Sequence, residues 1–460
     1  TIPIITRIFG PGDFGNYSLV SATIAIFTTI CGWIGMSVIR FYPVYQKEKE
    51  ENILFGNLTL LLEISIMVCS IVYILFLHLI KLPTQLSLLL KIGLIVAVVS
   101  SAFDSLLFFF RAQRRVALYS NFMIWKSLST FGLGLALVIG LGLGIEGLLW
   151  GTVIGLIIAL PLVWKLFTTR LKLVIKISTP FIRQMLAYSA PLVISNLAAW
   201  VLSMSNRYIL QALCGAAAVG VFSASYMITE RSLMLLVTLF LMASGPLSFE
   251  IWEKDGIEAS RLFISRVTRY YLMIMVPATI GLIALSQPVM VVMAGQDYFM
   301  GYRIMPLVAT SVLFIGIQQR FQAGYSFYNQ TRGIAMATIS AGVINLALNF
   351  MLDPVYGYMG AAIASFISYV VLLAVMVIGS RRIYTWSFPF RSLINTCAAG
   401  LIMGLMVYVL SDLIIETAIV ALLIGIPVGI IAYFAMLHLF KEFTPEEIAV
   451  LKSLTLKIGR

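Results

Sequence analysis

The sequence predicts an all-α polytopic membrane protein of about 14 spans, the first truncated, with two halves related by an internal repeat. Three observations predict it. Of 460 residues, 61% are apolar and only 11% charged, and the mean hydropathy is +1.01, which leaves too little polar surface to cover a soluble globule of this size. The apolar runs are about twenty residues or longer and lack the short alternation of an outer-membrane barrel, so the spanning units are helices. The chain also repeats itself.

The repeat is clearest around Arg207. Arg207-Tyr-Ile-Leu, Gly220-Val-Phe222-Ser223 and an apolar run closing in Ser244-Gly-Pro246 echo the opening Arg7-Ile-Phe-Gly, Gly15-Asn-Tyr17-Ser18 and an apolar run closing in Phe41-Tyr-Pro43. Gln113 and Arg115 return as Gln330 and Arg332. Gly144, Gly147, Gly151 and Gly155 return at one constant displacement as Gly357, Gly360, Ala364 and Ser368. Two homologous halves in the same order follow, a common form of internal symmetry in transporters.

A residual first helix ends near Arg7, and its beginning is expected to be missing from the chain. Whole spans are predicted near 14–38, 53–79, 86–110, 116–140, 145–166, 184–211, 216–248, 264–286, 303–328, 333–352, 358–379, 391–411 and 414–440. The domains then read as an N-lobe over 1–167, a basic cytoplasmic linker over 168–183, a C-lobe over 184–380, and the two extra spans with a tail over 381–460. The longest outer connection, 287–302, reads as a loop. In the tail, Thr444-Pro445-Glu446-Glu447 has the pattern of a capping box with proline in the first turn, and predicts a short surface helix running to Lys457.

Most of the 31 Lys and Arg residues fall in loops on one face, while the opposite loops hold little beyond Lys81 and Arg303. The basic face is cytoplasmic. Both termini are therefore expected inside the cell, in its inner (plasma) membrane. The net charge of +12 records orientation and contact with membrane lipids, and gives no ground for a nucleic-acid partner.

There is no nucleotide loop, paired-histidine metal site or nucleophile motif. Cys31, Cys69, Cys214 and Cys397 lack metal or redox spacing, and His78 and His438 are solitary near span ends. No metal or cofactor is expected. The outer loops are too short to build an active site, so the chain is not read as an enzyme.

What remains is charge inside the bilayer. Glu63, Asp104, Lys126, Glu230, Arg231 and Arg320 fall within spans, with Lys91 and Arg207 nearer the outer end. Each central charge costs about 2.5–3.5 kcal/mol, so these groups face a hydrated cavity or a partner. Pairing between helices, such as Glu63 or Asp104 with Lys126, is the plain reading for any single one. The cations as a set suggest a function. Arg7, Arg40, Lys126, Arg207, Arg231 and Arg320 come from both halves and can converge on one cavity that attracts an anionic headgroup, arginine matching phosphate with its planar fork. Gln318, Gln322, Tyr325 and Asn329 share one face of a span, as do Asn345 and Asn349, and Asn196 sits mid-span. Such groups bind sugar hydroxyls or bond between helices, the second being the commoner use. Glu63, Asp104 and Glu230 are the candidate carriers if transport is coupled to a proton or sodium gradient.

Thr6-Arg-Ile-Phe-Gly-Pro-Gly-Asp-Phe-Gly15-Asn-Tyr17-Ser and Gly35-Met-Ser-Val-Ile-Arg40-Phe-Tyr-Pro resemble polysaccharide-exporter (Wzx-type, O-antigen) flippases of the multidrug/oligosaccharidyl-lipid/polysaccharide exporter superfamily. So do Pro191, Asn206-Arg207-Tyr-Ile-Leu and Gly220-Val-Phe-Ser-Ala-Ser-Tyr226. The resemblance covers nearly the whole chain. It implies two six-helix lobes, spans 1–6 and 7–12, facing each other across a central cavity with two extra spanning helices at the end, and alternating access that moves a polyprenyl-pyrophosphate-linked oligosaccharide from the cytoplasmic to the outer leaflet for surface polysaccharides such as O-antigen or exopolysaccharide. It places Arg7, Arg40 and Arg207 at the family's basic positions, and implies a glycan polymerase and export machinery as partners. Two other readings stay open. A cation-coupled multidrug exporter of the same superfamily would need acidic groups, and a membrane-bound glycan polymerase or ligase would need outer loops that this chain lacks.

Overall fold

The computed structural model describes residues 2–169, 173–328, 330–411, 417–445 and 447. Among them all regular structure is helical: α1 (Ile2–Ile8), α2 (Pro11–Cys31), α3 (Trp33–Lys47), α4 (Glu51–Leu79), α5 (Thr84–Ala112), α6 (Val116–Leu141), α7 (Glu146–Thr168), α8 (Thr179–Met204), α9 (Asn206–Cys214), α10 (Ala216–Lys254), α11 (Gly256–Ala284), α12 (Ser286–Met293), a 3-10 helix (Gln296–Ile304), α13 (Met305–Phe327), α14 (Thr331–Tyr356), α15 (Tyr358–Ser380), α16 (Phe390–Val409) and α17 (Ala418–Leu439). Among the described residues, 13 helices or joined helix pairs are long and apolar enough to cross a membrane. They match the predicted spans one for one, because an uninterrupted apolar run of that length can satisfy its backbone only as a helix.

The details depart from the sequence reading where short-range chemistry intervenes. The span 184–211 is broken at Ser205, whose hydroxyl donates to the Val201 carbonyl one turn back, a bond that bends helices. The turn from α10 to α11 passes through Gly256 at φ +84°, a left-handed position that glycine takes without a Cβ penalty. The expected outer loop over 287–302 is mostly helical. Met290 and Tyr298 are buried there, and the Tyr298 hydroxyl donates to the Phe9 carbonyl at 2.9 Å.

The chain falls into two compact units, the first Gly12–Val219, the second Ile2–Pro11 with the described residues from Gly220 onward. This partition by packing differs from the partition by repeat. The α8–α9 span belongs with the first unit: the Ser37 and Ser189 hydroxyls lie 2.7 Å apart, those of Thr23 and Tyr208 2.7 Å apart, and Trp200 Nε1 donates to the Ala22 carbonyl at 3.2 Å. The opening helix belongs with the second, where Arg7 donates to the Val292 carbonyl at 3.0 Å.

The first unit is centred on packed rings from α4, α5 and α7, with Phe55 edge-on to Phe109 at a centroid distance of 5.1 Å and Phe109 stacked on Phe167 at 4.9 Å. Asn57 fastens part of the basic linker by donating to the Lys176 carbonyl and accepting from its N–H. The second unit is built around α11. Tyr271, Leu272, Met275 and Val276 pack against α10 and α13, while Met273 joins Met403, Val407 and Tyr433 of α16 and α17.

Each unit contains a close helix hairpin made by the repeated small residues. A Cβ at Gly151 of α7 would lie 2.2 Å from the Gly134 amide nitrogen of α6, and one at Gly360 of α15 would lie 2.5 Å from the Leu352 carbonyl oxygen of α14. Gly151→Val is therefore expected to force α6 and α7 apart and to destabilise the protein by about 1–3 kcal/mol, read as a lower midpoint in thermal denaturation followed by intrinsic fluorescence. An unchanged midpoint would show that the hairpin tolerates separation.

Candidate functional site

Arg320 on α13 carries the strongest site. One turn earlier, Gly316 leaves room for Tyr271 of α11, whose hydroxyl would be 1.9 Å from a Cβ there and donates to the Leu313 carbonyl at 3.1 Å. The Arg320 guanidinium carbon lies 5.6 Å from the Tyr271 ring centre, within cation–π range. From α10, the Ser244 hydroxyl accepts from Arg320 Nη1 at 2.8 Å while donating to the Phe240 carbonyl. The side chain is thus pinned between two neighbouring helices and is only 7% exposed. Among the described residues it forms no ion pair, and its Nε and Nη2 have no hydrogen-bond partner. It borders a cavity of about 190 Å³ within the second unit, shared with Ser244, Ser248, Gln319, Gln322 and Ser326.

In the first unit, Lys126 of α6 lies 2.6 and 2.8 Å from the two carboxylate oxygens of Asp104 on α5. The pairing named as the plain reading of these two charges is therefore present. Asp104 also borders a cavity of about 280 Å³ with Thr28, Thr29, Ser105 and Asn196, so Asn196 and Asp104 line the same cavity. Glu63 is exposed on α4 at the edge of another cavity of about 300 Å³ whose walls are mostly apolar, among them Leu106, Leu160 and Trp164.

The other candidates sort by environment. Arg207 is 2% exposed and donates from Nη1 to the Ser203 carbonyl at 2.9 Å across the α8–α9 break. Arg7, Arg40 and Arg231 are exposed. Glu230 is half-buried and close enough to act on Tyr369 electrostatically. Gln318 is buried and its amide donates to Gln322 at 3.3 Å. Tyr325 is packed against Gly333 and Gly379, where an added Cβ would strike its ring or hydroxyl. Asn345 and Asn349 are fully buried, and the Asn349 amide donates to the Asn345 backbone and side-chain oxygens; this is the packing use of such groups. Asn329 lies outside the described residues. The six cations divide evenly, with Arg40, Lys126 and Arg207 in the first unit and Arg7, Arg231 and Arg320 in the second.

Sequence reasoning missed three groups. Gln319 contributes a buried side-chain oxygen without a partner beside Arg320. Asp353 is fully buried on α14, continuing the Asn345–Asn349 face by one turn and lying one residue past the predicted span end. Arg269, counted only as an orienting charge, holds the tail: its guanidinium grips Glu447 through two bonds of 2.6 and 3.0 Å and Glu442 through Nε at 3.1 Å. Ser392 and Asn395 of α16 also donate to Glu442. The predicted capping box is present, with Thr444 N–H donating to Glu447 at 2.9 Å and Glu447 N–H donating to the Thr444 hydroxyl at 3.3 Å; the rest of the expected tail helix lies outside the described residues.

The Arg269 guanidinium beside Glu447 holds its carboxyl down to about 2. Burial pushes the Glu442 carboxyl up, and hydrogen bonds from Ser392, Asn395 and Arg269 outweigh it, leaving it below the usual range. An unfolded glutamate titrates near ~4.3, so the stabilisation from Glu447 is complete above that pH and is lost as pH falls toward about 2. The thermal midpoint of the wild type is expected to drop over that window. Glu447→Gln is expected to start lower at neutral pH and to drop less; equal slopes would rule out the clamp.

Residues 1–252 match the family described as Polysaccharide biosynthesis protein, more than half of the 460-residue chain. A relative from Haloferax volcanii, named a probable low-salt glycan biosynthesis flippase, Agl15, is 22% identical over 335 residues, covering 72% of this chain and 69% of its own length. Among solved structures, lipid II flippase MurJ in an inward closed conformation superposes with a TM-score of 0.73 at 17% identity, over 95% of each chain. An inward-facing multidrug resistance MATE family transporter of the MOP superfamily superposes with a TM-score of 0.69 at 14% identity, over 81% of this chain and 90% of that one. These structural likenesses show the fold, a polytopic bundle of helices. The chain belongs to the family described as Polysaccharide biosynthesis protein.

Proposed function

We propose that this protein is a flippase that moves a polyprenyl-pyrophosphate-linked oligosaccharide from the cytoplasmic to the outer leaflet by alternating access, supplying surface polysaccharide synthesis. The observation that carries the reading is Arg320, a buried guanidinium with two N–H groups unpartnered among the described residues, in the wall of a mostly apolar cavity that it shares with Ser244, Gln319 and Gln322, in a chain of the polysaccharide biosynthesis family. A buried cation with no carboxylate partner is costly in the empty protein and is compensated by an anionic cargo. Agl15 and MurJ, both named flippases, support the same class. Arg7, Arg40, Arg207 and Arg231 supplement Arg320 in drawing in the pyrophosphate, and Asn196 with the polar groups around Asp104 meets sugar hydroxyls. In this reading the protein resides in the plasma membrane with both termini cytoplasmic, is driven by a proton or sodium gradient through Glu63 or Glu230, and passes its product to a glycan polymerase and export machinery.

The test is mass spectrometry of lipid extracts after the gene is removed. Accumulation of an undelivered lipid-linked oligosaccharide, reversed by the wild-type gene, is expected; an unchanged lipid-linked sugar profile would contradict the reading. The second reading, a multidrug exporter, is favoured by the MATE-like fold and by Glu63 at an apolar-walled cavity. Against it, the Asp104 carboxylate is neutralised by Lys126. Overexpression is expected to leave resistance to cationic dyes unchanged, and raised resistance would favour the second reading.

A further inference from the structure

We propose that Cys31 and Cys69 form a modification site within the first unit, a dithiol that a small uncharged two-electron oxidant converts to a disulfide, fixing the bend between α2 and α3. The register of the helices brings the two residues together, although their spacing along the chain gives no sign of it. Phe27 on α2 packs edge-to-face with Tyr73 on α4, ring centroids 6.4 Å apart, and Trp33 Nε1 at the start of α3 donates to the Ser65 hydroxyl on α4 at 3.1 Å. α4 runs antiparallel to α2 and α3, so the position one turn after Phe27 faces the position one turn before Tyr73. Those positions are Cys31 and Cys69, and their thiols lie within hydrogen-bonding reach of each other. Both are free cysteines.

A crosslink at this place has leverage. α2 ends at Cys31 and α3 begins at Trp33, and across the break the Met36 N–H reaches the Gly32 carbonyl at a stretched 3.4 Å, a weakening of the helical ladder that accompanies kinks. α3 is tied to α4 by Trp33 and by Tyr42, which stacks on Phe55 at 5.4 Å. A disulfide at Cys31 ties the end of α2 to the same helix, so both arms of the bend become fixed to α4. Cys31 is 1% exposed and Cys69 half-buried, so the oxidant meets Cys69. With a diazene dicarboxamide, the Cys69 sulfur adds to one nitrogen of the N=N bond and its proton passes to the other. The Cys31 sulfur then attacks Cys69, forming the S–S bond and expelling the hydrazine, which takes the Cys31 proton. The dithiol loses two electrons and two protons, and the diazene gains both. None of this depends on the cargo.

The experiment treats the full chain, purified in a sugar-based detergent, with the diazene dicarboxamide. One portion is then unfolded, alkylated, digested and read by mass spectrometry; another is followed by hydrogen–deuterium exchange. The expected result is a peptide pair linked through Cys31 and Cys69 and released by dithiothreitol, with Cys214 and Cys397 still alkylated, and exchange of amides 32–36 slowed at least about threefold in the oxidised protein. Cys69→Ser, or Cys31→Ala if the first does not fold, is expected to show neither the link nor the slowing. Alkylation of both Cys31 and Cys69 after oxidation, or a link from either to Cys214 or Cys397, would overturn the pairing. A Cys31–Cys69 link that leaves exchange unchanged, or equal slowing in the variant, would overturn the fixing of the bend.

Discussion

Arg320→Gln is expected to lower the export of lipid-linked glycan at least about tenfold, the loss of about 1.4 kcal/mol of substrate interaction, while the thermal midpoint holds or rises. The two halves of this result separate ligand binding from packing. Hydrogen bonds to a charged group contribute about 1.5–3 kcal/mol each, and the free edge of Arg320 offers two of them. In the empty protein the same edge is an uncompensated buried charge, and exchanging it for a neutral amide that still reaches toward Ser244 removes that penalty. A purely structural arginine would show the opposite pattern, a lower midpoint with export reduced only in proportion to the protein that survives.

The second large effect is expected at Asp104 and Lys126. Each side chain is about a quarter to a third exposed, so water screens the pair only in part. Asp104→Asn or Lys126→Met alone leaves a half-buried charge without its counter-ion inside an apolar unit, and each is expected to reduce both the amount of folded protein and export severalfold. The double variant is expected to recover most of both, with a coupling of about 1–2 kcal/mol in thermal or denaturant unfolding. Export that stays lost in a well-folded double variant would make Asp104 a carrier in the transport cycle instead of half of a structural pair.

The sequence made the spans legible because the bilayer imposes a length, and each apolar run meets it whatever its neighbours. The helical outer connection was harder to read. Its apolar stretch from Pro288 to Met293 is too short to span, and its order comes from distant partners such as Phe9. The assignment of α8 and α9 to the first unit rests on hydroxyl pairs between helices far apart in the chain, Ser37 with Ser189 and Thr23 with Tyr208, which no local pattern encodes. At the site, Arg320 stood out as charge within an apolar run, but the register that sets Ser244 and Tyr271 against it depends on how three helices pack. Gly316 was the residue that permits this packing, and a glycine in a spanning helix has many uses. Asn345 and Asn349 were visible by their spacing, and the same spacing carried one step further reaches Asp353. Arg269 was assigned to the cytoplasmic face by its charge, yet its partners Glu442 and Glu447 lie beyond the last span, so the clamp was invisible until the tail was seen folded back.

The most direct measurement is translocation by the purified protein in sealed liposomes carrying a fluorescent polyprenyl-pyrophosphate oligosaccharide, with a membrane-impermeant quencher reporting which leaflet the label occupies. Wild-type protein is expected to carry the label across in both orientations of the assay, and Arg320→Gln, inserted at the same density, to lag at least about tenfold. Equal rates for the two proteins, or a wild-type rate no faster than protein-free liposomes, would contradict the account.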